Sequence, residues 1–164
     1  MRDLKQKVEG GLLGRSQQVS ATVIDEEKRI VRFSFSSEAA EVARGGMFEE
    51  PWVEILGHKK TEVNLERLNS GAPLYYHHPN RADSVRVGKI IEGSAKLKQR
   101  RGVADAQFSR RDDPIVEGVW RDVVDGILTS TSVGYSILER TLIEEKQGEP
   151  SKYRVTSWTP AEVS

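Results

Sequence analysis

Short β-favouring segments separated by polar turns recur along this chain, and they limit the fold to one that is rich in strands. Between residues 19 and 35, two such segments surround the polar turn Asp25-Glu26-Glu27-Lys28. In the second segment Val31, Phe33 and Phe35 alternate with Ile30, Arg32 and Ser34. Because an alternation of period two puts each set on its own face of a strand, we predict a hairpin with one buried face.

Two later regions carry the same kind of signal. Residues 86–92 and 103–109 are strand candidates joined by a turn rich in lysine and arginine, and they predict a second hairpin. Residues 127–144 are rich in β-branched side chains and lead through a polar turn into residues 153–164. These two segments are therefore predicted to pair as antiparallel strands.

One segment has the pattern of an amphipathic helix. Asp112, Asp113 and Pro114 form a favourable helix start, because an acidic cap precedes a proline in the first turn. Apolar residues then recur at three-to-four spacing, at Ile115, Val119, Trp120, Val123, Val124 and Ile127. We predict a helix over about 113–126, a short helix over 38–47 and a helical turn over 64–68. The expected fold class is mainly β with a few helices (α+β).

Composition excludes several classes of function. The chain of 164 residues fits one domain and has no cysteine, which rules out disulfide frameworks, zinc–cysteine sites and a cysteine nucleophile. Its 25 basic and 25 acidic residues cancel, so no overall field attracts nucleic acid. No apolar run approaches the roughly 20 residues that span a bilayer. We expect no cofactor, no nucleic-acid partner and no membrane contact.

The three histidines are the available general bases. His58 lies in a polar run and is predicted to be a surface-loop residue, whereas His77 and His78 lie together where a predicted strand meets a proline-containing loop. Neighbours on a strand point to opposite faces, so one of this pair is expected to face a given site. From the residues alone, His77 also fits an ordinary structural histidine at a strand end.

Ser132 is the candidate nucleophile, at the end of the hydroxyl-rich segment 129–132. A hydroxyl nucleophile needs a base within hydrogen-bond reach and a third group, often a carboxylate, that orients the base. Gly134, two positions later, is expected to keep that face of the strand open to a substrate backbone. The segment by itself is equally typical of a half-exposed strand.

Four blocks of sequence, in order, resemble one family. They are a short helix leading into Pro73-Leu74-Tyr75-Tyr76-His77-His78-Pro79-Asn80, the strand Val87-Gly88-Lys89-Ile90, the block Ser132-Val133-Gly134-Tyr135, and the terminal Trp158-Thr159-Pro160-Ala161-Glu162-Val163-Ser164. Their order, spacing and residue types resemble those of the tailed-phage prohead proteases, which mature the capsid. The resemblance covers about residues 19–164.

This resemblance implies a serine endopeptidase with Ser132 as nucleophile, His77 as base and Glu162 as the third member. His78 then stands where the family usually has aspartate. The implied fold is the antiparallel β-barrel of the herpesvirus-protease-like type, formed by a single prohead protease domain over 19–164 that is truncated at its C-terminus. Residues 1–18 are predicted to be a loosely ordered N-terminal segment.

The expected substrates are the phage major capsid protein and scaffold segments, together with self-cleavage, in the prohead interior within the host cytoplasm. The resemblance also leads us to expect a homo-oligomer. Two alternatives stay open: a non-catalytic β-barrel module that binds capsid or scaffold protein, and a metal-dependent hydrolase using His77, His78 and a carboxylate. The metal alternative is weak, because adjacent histidines diverge on a strand and no HExxH motif is present.

Overall fold

The computed structural model describes residues 5–8, 11–18, 21–46 and 49–164. Most of this part of the chain lies in strands: β1 (Lys5–Lys7), β2 (Leu13–Gln18), β3 (Thr22–Asp25), β4 (Ile30–Ser37), β5 (Glu41–Gly46), β6 (Glu49–Leu56), β7 (Pro73–Tyr76), β8 (Val85–Ile90), β9 (Lys96–Lys98), β10 (Arg101–Phe108), β11 (Ser130–Glu144) and β12 (Ser151–Val163). Two helices accompany them, α1 (Glu66–Asn69) and α2 (Pro114–Val124). The prediction of a mainly β protein with a few helices is confirmed.

The strands belong to one mixed sheet. Its order is β1-β11-β12-β7-β8-β10-β4-β3, with β2 also on β11, β6 also on β12, β5 on β6, and β9 on β10. β12 runs parallel to β6 and to β7, whereas the other pairs are antiparallel. Among the described residues, no pairing joins the two ends of this order, so the sheet is open.

The herpesvirus-protease-like antiparallel barrel is therefore not what the described strands form. A local pattern can encode a hairpin, but a parallel pair requires a crossover between distant segments. Here residues 57–72, which include α1, carry the chain from β6 to β7, and both strands run in the direction of β12. The motif spacing contained no information about these pairings.

The predicted antiparallel pairs are confirmed, although the second is not a simple hairpin, because β9 lies between its two strands in the chain and pairs with β10. β3 pairs with β4, with Val23 opposite Val31, and the face formed by Val31, Phe33 and Phe35 is buried. β8 pairs with β10, and β11 pairs with β12 over most of their length. These pairs follow from alternation and turn chemistry, which are local properties of the sequence.

The predicted helix over 113–126 is also confirmed, as α2. The Asp113 carboxylate accepts hydrogen bonds from the backbone N–H groups of Ile115 and Val116, which satisfies two donors of the first turn. Trp120 is buried from the same helix and packs against Phe108 of β10, with ring centroids 5.3 Å apart. This contact docks α2 on the sheet.

One segment differs from its predicted structure, and the N-terminal segment lies partly in strands. Residues 41–46, inside the predicted helix over 38–47, form β5 because they pair along β6, and this tertiary pairing overrides a weak helical pattern; residue 47 lies outside the described part. The N-terminal segment 1–18, predicted to be loosely ordered, contributes β1 and β2 along the edge of β11 in its described part. β2 therefore lies beside Ser132.

The core centres on Trp158 and Tyr135, which are fully buried with ring centroids 5.6 Å apart. The Trp158 indole N–H donates to the Gly57 carbonyl at 2.8 Å, so its polar group is satisfied inside the core. Trp158 and Glu162 lie on the same strand, so this anchor fixes β12. Neither described helix is long and apolar enough to cross a membrane.

Candidate active site

Ser132 lies near the start of β11, between β12 on one side and β2 on the other. Its N–H donates to the Ser164 carbonyl at 2.6 Å, and its own carbonyl accepts from the Ser164 N–H at 2.8 Å. The Ser132 Oγ lies 2.6 Å from His78 Nε2 and 2.9 Å from the Arg15 carbonyl oxygen. Because the hydroxyl has a single proton, the ring nitrogen and this carbonyl compete to accept it.

Glu162 extends this hydrogen-bonded line on the far side of the imidazole. Its Oε1 lies 2.8 Å from His78 Nδ1. An ionised carboxylate only accepts, so it holds the ring proton on Nδ1 and leaves Nε2 free to accept from Ser132. Glu162 is buried, whereas the His78 side chain is 27% exposed and reachable from solvent. The order Ser132, His78, Glu162 is that of a nucleophile, a base and an orienting carboxylate.

Two effects act in opposite directions on the pKa of Glu162. Burial raises the pKa of the Glu162 carboxyl from its ordinary value, and the hydrogen bond from His78 opposes the rise by favouring the ionised form. A raised pKa means that the carboxyl gains its proton at a higher pH than an exposed glutamate would. The orienting charge is therefore lost as the pH falls through this raised pKa.

Glu162→Gln tests this charge. If Glu162 orients His78, the variant should lose about 10²- to 10⁴-fold in kcat/KM, because the amide keeps the volume but neither fixes the tautomer nor stabilises an imidazolium. The acidic limb of the rate profile should also change, since the variant lacks the ionisation at position 162. Rates measured from about pH 4 to about pH 9 check both effects. An unchanged rate with an unchanged profile would reduce Glu162 to a structural residue.

His77, the histidine that the resemblance implies as base, has different neighbours. Its ring stacks on Tyr76 with centroids 4.1 Å apart, and its Nδ1 lies 2.9 Å from Asp83 Oδ2. Arg81 holds Asp83 through two hydrogen bonds and lowers the pKa of that carboxyl to about 2. The structure therefore brings Ser132 and Glu162 together through His78 and sets His77 beside an acidic loop residue.

The backbone explains why the second histidine reaches the serine. β7 ends at Tyr76, and His77 has a φ of 63°, in the left-handed region that non-glycine residues seldom adopt. His78 is thus no longer on a strand, and the rule that neighbours face opposite sides does not apply. The Ser84 hydroxyl donates a hydrogen bond to the His77 carbonyl at 2.9 Å, and the Arg81 backbone N–H donates to the His78 carbonyl at 3.0 Å. The only sequence signal for His78 is the histidine doublet itself.

A second serine–histidine pair lies in the core. His58 is buried, which differs from the predicted surface position, and its Nε2 lies 2.8 Å from Ser36 Oγ. Its Nδ1 donates to the Leu56 carbonyl at 2.9 Å, so a neutral acceptor replaces the carboxylate of a triad. Burial lowers the pKa of His58. Ser36 is fully buried, so no substrate reaches it and the pair is structural.

Two glycines make room for the imidazole and the carboxylate. Gly134 lies opposite Glu162 in the β11–β12 ladder, and a Cβ at this position would overlap Glu162 Oε1 and lie 2.9 Å from its Cδ. A Cβ at Gly14 of β2 would lie 3.3 Å from His78 Nε2. The sequence led us to expect that the face at Gly134 is open to a substrate backbone. That prediction is wrong, because Glu162 fills this face.

The metal-hydrolase alternative finds little support in the geometry. His77 and His78 have separate partners, Asp83 and Glu162. Within the described ranges, no group of three or more histidine, aspartate or glutamate side chains is arranged to hold a metal ion. The two histidines do not share a donor set.

Comparison with known proteins finds a similarity to a phage capsid protein. The chain is 33% identical over 112 residues to the major capsid protein of Halomonas phage phiHAP-1. This match includes 68% of the chain but only 18% of the capsid protein, so the chain spans less than a fifth of that relative. No protein-family model matches the chain, and no solved structure matches it. The chain is thus similar to a segment of a phage capsid protein.

Proposed function

We propose that this chain is a serine endopeptidase that acts in phage capsid maturation, with Ser132 as nucleophile, His78 as base and Glu162 as the orienting carboxylate. The observation that carries the proposal is the continuous contact from Ser132 Oγ through both His78 ring nitrogens to Glu162 Oε1, at 2.6 and 2.8 Å. The role first assigned to His77 passes to its neighbour, because proton transfer requires direct reach between base and nucleophile.

The reaction would proceed through an acyl-enzyme. Ser132 Oγ attacks the scissile carbonyl carbon while its proton passes to His78 Nε2, and Glu162 stabilises the resulting imidazolium. When the tetrahedral intermediate collapses, the C–N bond breaks and His78 gives the proton to the departing amine. Water then hydrolyses the ester: its oxygen attacks the acyl carbon while His78 Nε2 takes its proton. The bond between the acyl carbon and Ser132 Oγ breaks, His78 returns the proton to Oγ, and the carboxylic acid product leaves.

Before attack, the serine proton must point at His78 and not at the Arg15 carbonyl. That carbonyl belongs to β2, and its oxygen lies 2.9 Å from Ser132 Oγ, against 2.6 Å for His78 Nε2. The shorter contact and the charge-supported ring favour transfer to His78. Productive attack therefore uses the geometry already present, with a rotation of the hydroxyl hydrogen alone.

The similarity to a phage major capsid protein supports the biological setting. The match covers 18% of the length of that protein, so most of the capsid protein has no counterpart in this chain. We propose that the substrates are capsid-protein and scaffold segments, that the chain also cleaves itself, and that cleavage takes place inside the prohead in the host cytoplasm. The expected homo-oligomer stays a prediction.

Active-site labelling tests the proposal. A fluorophosphonate, which reacts with activated serines, should label the wild-type protein at one site and should abolish cleavage of the cognate capsid protein. Ser132→Ala should lose both the label and about 10⁴-fold or more of the cleavage rate. Ser136→Ala, on the same strand but away from His78, is the matched control and should behave as wild type. Peptide mapping by mass spectrometry locates the label.

The capsid-protein match also favours one rival, a non-catalytic module that binds capsid or scaffold protein. The same experiment separates the two functions. A folded wild-type protein that binds capsid protein, takes up no fluorophosphonate and leaves its partner uncut would establish the rival and overturn the protease.

A further inference from the structure

An apolar cavity of about 300 Å³ opens beside the nucleophile. Ser132 and His78 lie on its wall, together with exposed Thr129 at the mouth. Its deeper lining includes Phe33, Val87 and Val119, which are buried. The cavity therefore connects the reacting atoms with the interior of the fold.

The lining of the cavity is mostly apolar. Among the lining residues that the structure describes, Arg81 alone has a permanent charge, and its guanidinium is exposed and bound to the Asp83 carboxylate. The buried lining residues named above are hydrocarbon side chains. A charged group placed among them would lose its hydration without gaining a partner, which is costly. An apolar group would instead gain contacts and lose contact with water.

The size and position of the cavity indicate what kind of group would fill it. Protein interiors are close-packed, and few contain voids much larger than a water molecule, because an empty apolar space forfeits packing energy. A space of this size next to an activated serine fits one large side chain of a bound peptide. In the residue that supplies the scissile carbonyl, the Cα that carries the side chain is bonded directly to the carbon that Ser132 attacks. Its side chain is therefore the substrate group best placed to enter a cavity beside Ser132.

We propose that this cavity is the specificity pocket of the protease and that it selects a large apolar residue, such as leucine, methionine or phenylalanine, at the position whose carbonyl Ser132 attacks. This inference rests on the proposed protease function. It names the substrate class of that site: peptides cut on the carboxyl side of a large apolar residue.

A series of N-acetyl amino-acid thiobenzyl esters tests the pocket on the wild-type protein. The esters share a leaving group and differ in the side chain next to the reacting carbonyl. We expect kcat/KM for the leucine and phenylalanine esters to exceed that for alanine by about tenfold or more, and that for aspartate or lysine by a larger factor. Rates with Ser132→Ala provide the background.

A cavity-filling variant provides the second arm. Val123→Phe, at the half-buried edge of the lining, should lower the leucine-to-alanine ratio of kcat/KM by about tenfold, since the new ring occupies the space. Val124→Phe, on the exposed face of the same helix and outside the lining, should leave the ratio unchanged. Because the ester series on the wild type needs no variant, poor folding of Val123→Phe would not remove the test.

The outcomes separate the two proposals. Fluorophosphonate labelling of Ser132 with equal rates across the esters, or with a preference for charged side chains, would overturn the pocket and leave the protease standing. Absence of labelling and of ester hydrolysis in the folded wild type would overturn both. Labelling with a preference for large apolar esters that Val123→Phe reduces is the expected result.

Discussion

His78→Ala should abolish cleavage, with a loss of about 10⁴-fold or more in kcat, whereas His77→Asn should retain most of the wild-type rate. His78 Nε2 lies 2.6 Å from Ser132 Oγ, so removing the ring leaves the serine without a base. His77 instead stacks on Tyr76 and lies beside Asp83. If His77 were the base, as the family resemblance implies, the loss of activity would instead follow the change at His77, and His78→Ala would stay active.

The choice of asparagine at position 77 separates chemistry from backbone strain. His77 has a φ of 63°, and a residue that tolerates this region poorly would cost about 1–2 kcal/mol and shift the neighbouring His78. Asparagine adopts the left-handed region more readily than most residues and has no imidazole. Thermal unfolding of each variant serves as the control for folding. An active His78→Ala together with an inactive, folded His77→Asn would return the base to His77.

Gly134→Ala should be the most damaging single-methyl change near the site. The added Cβ would overlap Glu162 Oε1 and lie 2.9 Å from its Cδ, and Glu162 is the direct ladder partner on β12. Either the carboxylate leaves His78 or the strands separate. We expect a loss of about 10²-fold or more in kcat/KM and a loss of about 1–3 kcal/mol in the free energy of unfolding.

Two controls make this test specific. Gly118→Ala, in α2, adds the same methyl where a Cβ would meet no atom within 4 Å, and it should stabilise the helix by up to about 1 kcal/mol without changing activity. In a Glu162→Ala background, Gly134→Ala should cost much less than it does in the wild type, because the overlapping group is gone. Equal losses in both backgrounds would contradict the steric explanation.

Local patterns in the sequence determined much of the architecture. The alternation over 30–35 is sufficient to predict the buried face of β4, because side chains on a strand alternate with period two. The Asp113–Pro114 start is sufficient to predict α2, because a cap and a first-turn proline are satisfied within a few residues. Ser132 and Glu162 were singled out by motif, and the structure joins them through a common histidine.

Other features depend on residues that are far apart in the chain. Residues 41–46 form a strand because β6 pairs with them, and β6 and β7 run parallel to β12 because a crossover carries the chain between them. His58 is buried because Trp158, a hundred residues later, packs against it with ring centroids 5.6 Å apart. None of these partners is visible within a short window of sequence.

The identity of the histidine beside Ser132 shows most clearly which features local sequence determines and which need the tertiary structure. The sequence alone determined that a histidine pair ends a strand before a loop, and the alternation rule then presents each ring as a separate possibility. Only the tertiary structure decided between them. A left-handed residue at His77, with its carbonyl held by the Ser84 hydroxyl, turns His78 toward Ser132 and Glu162. A backbone dihedral of this kind is imposed by the surrounding loop contacts and not by the residue that adopts it.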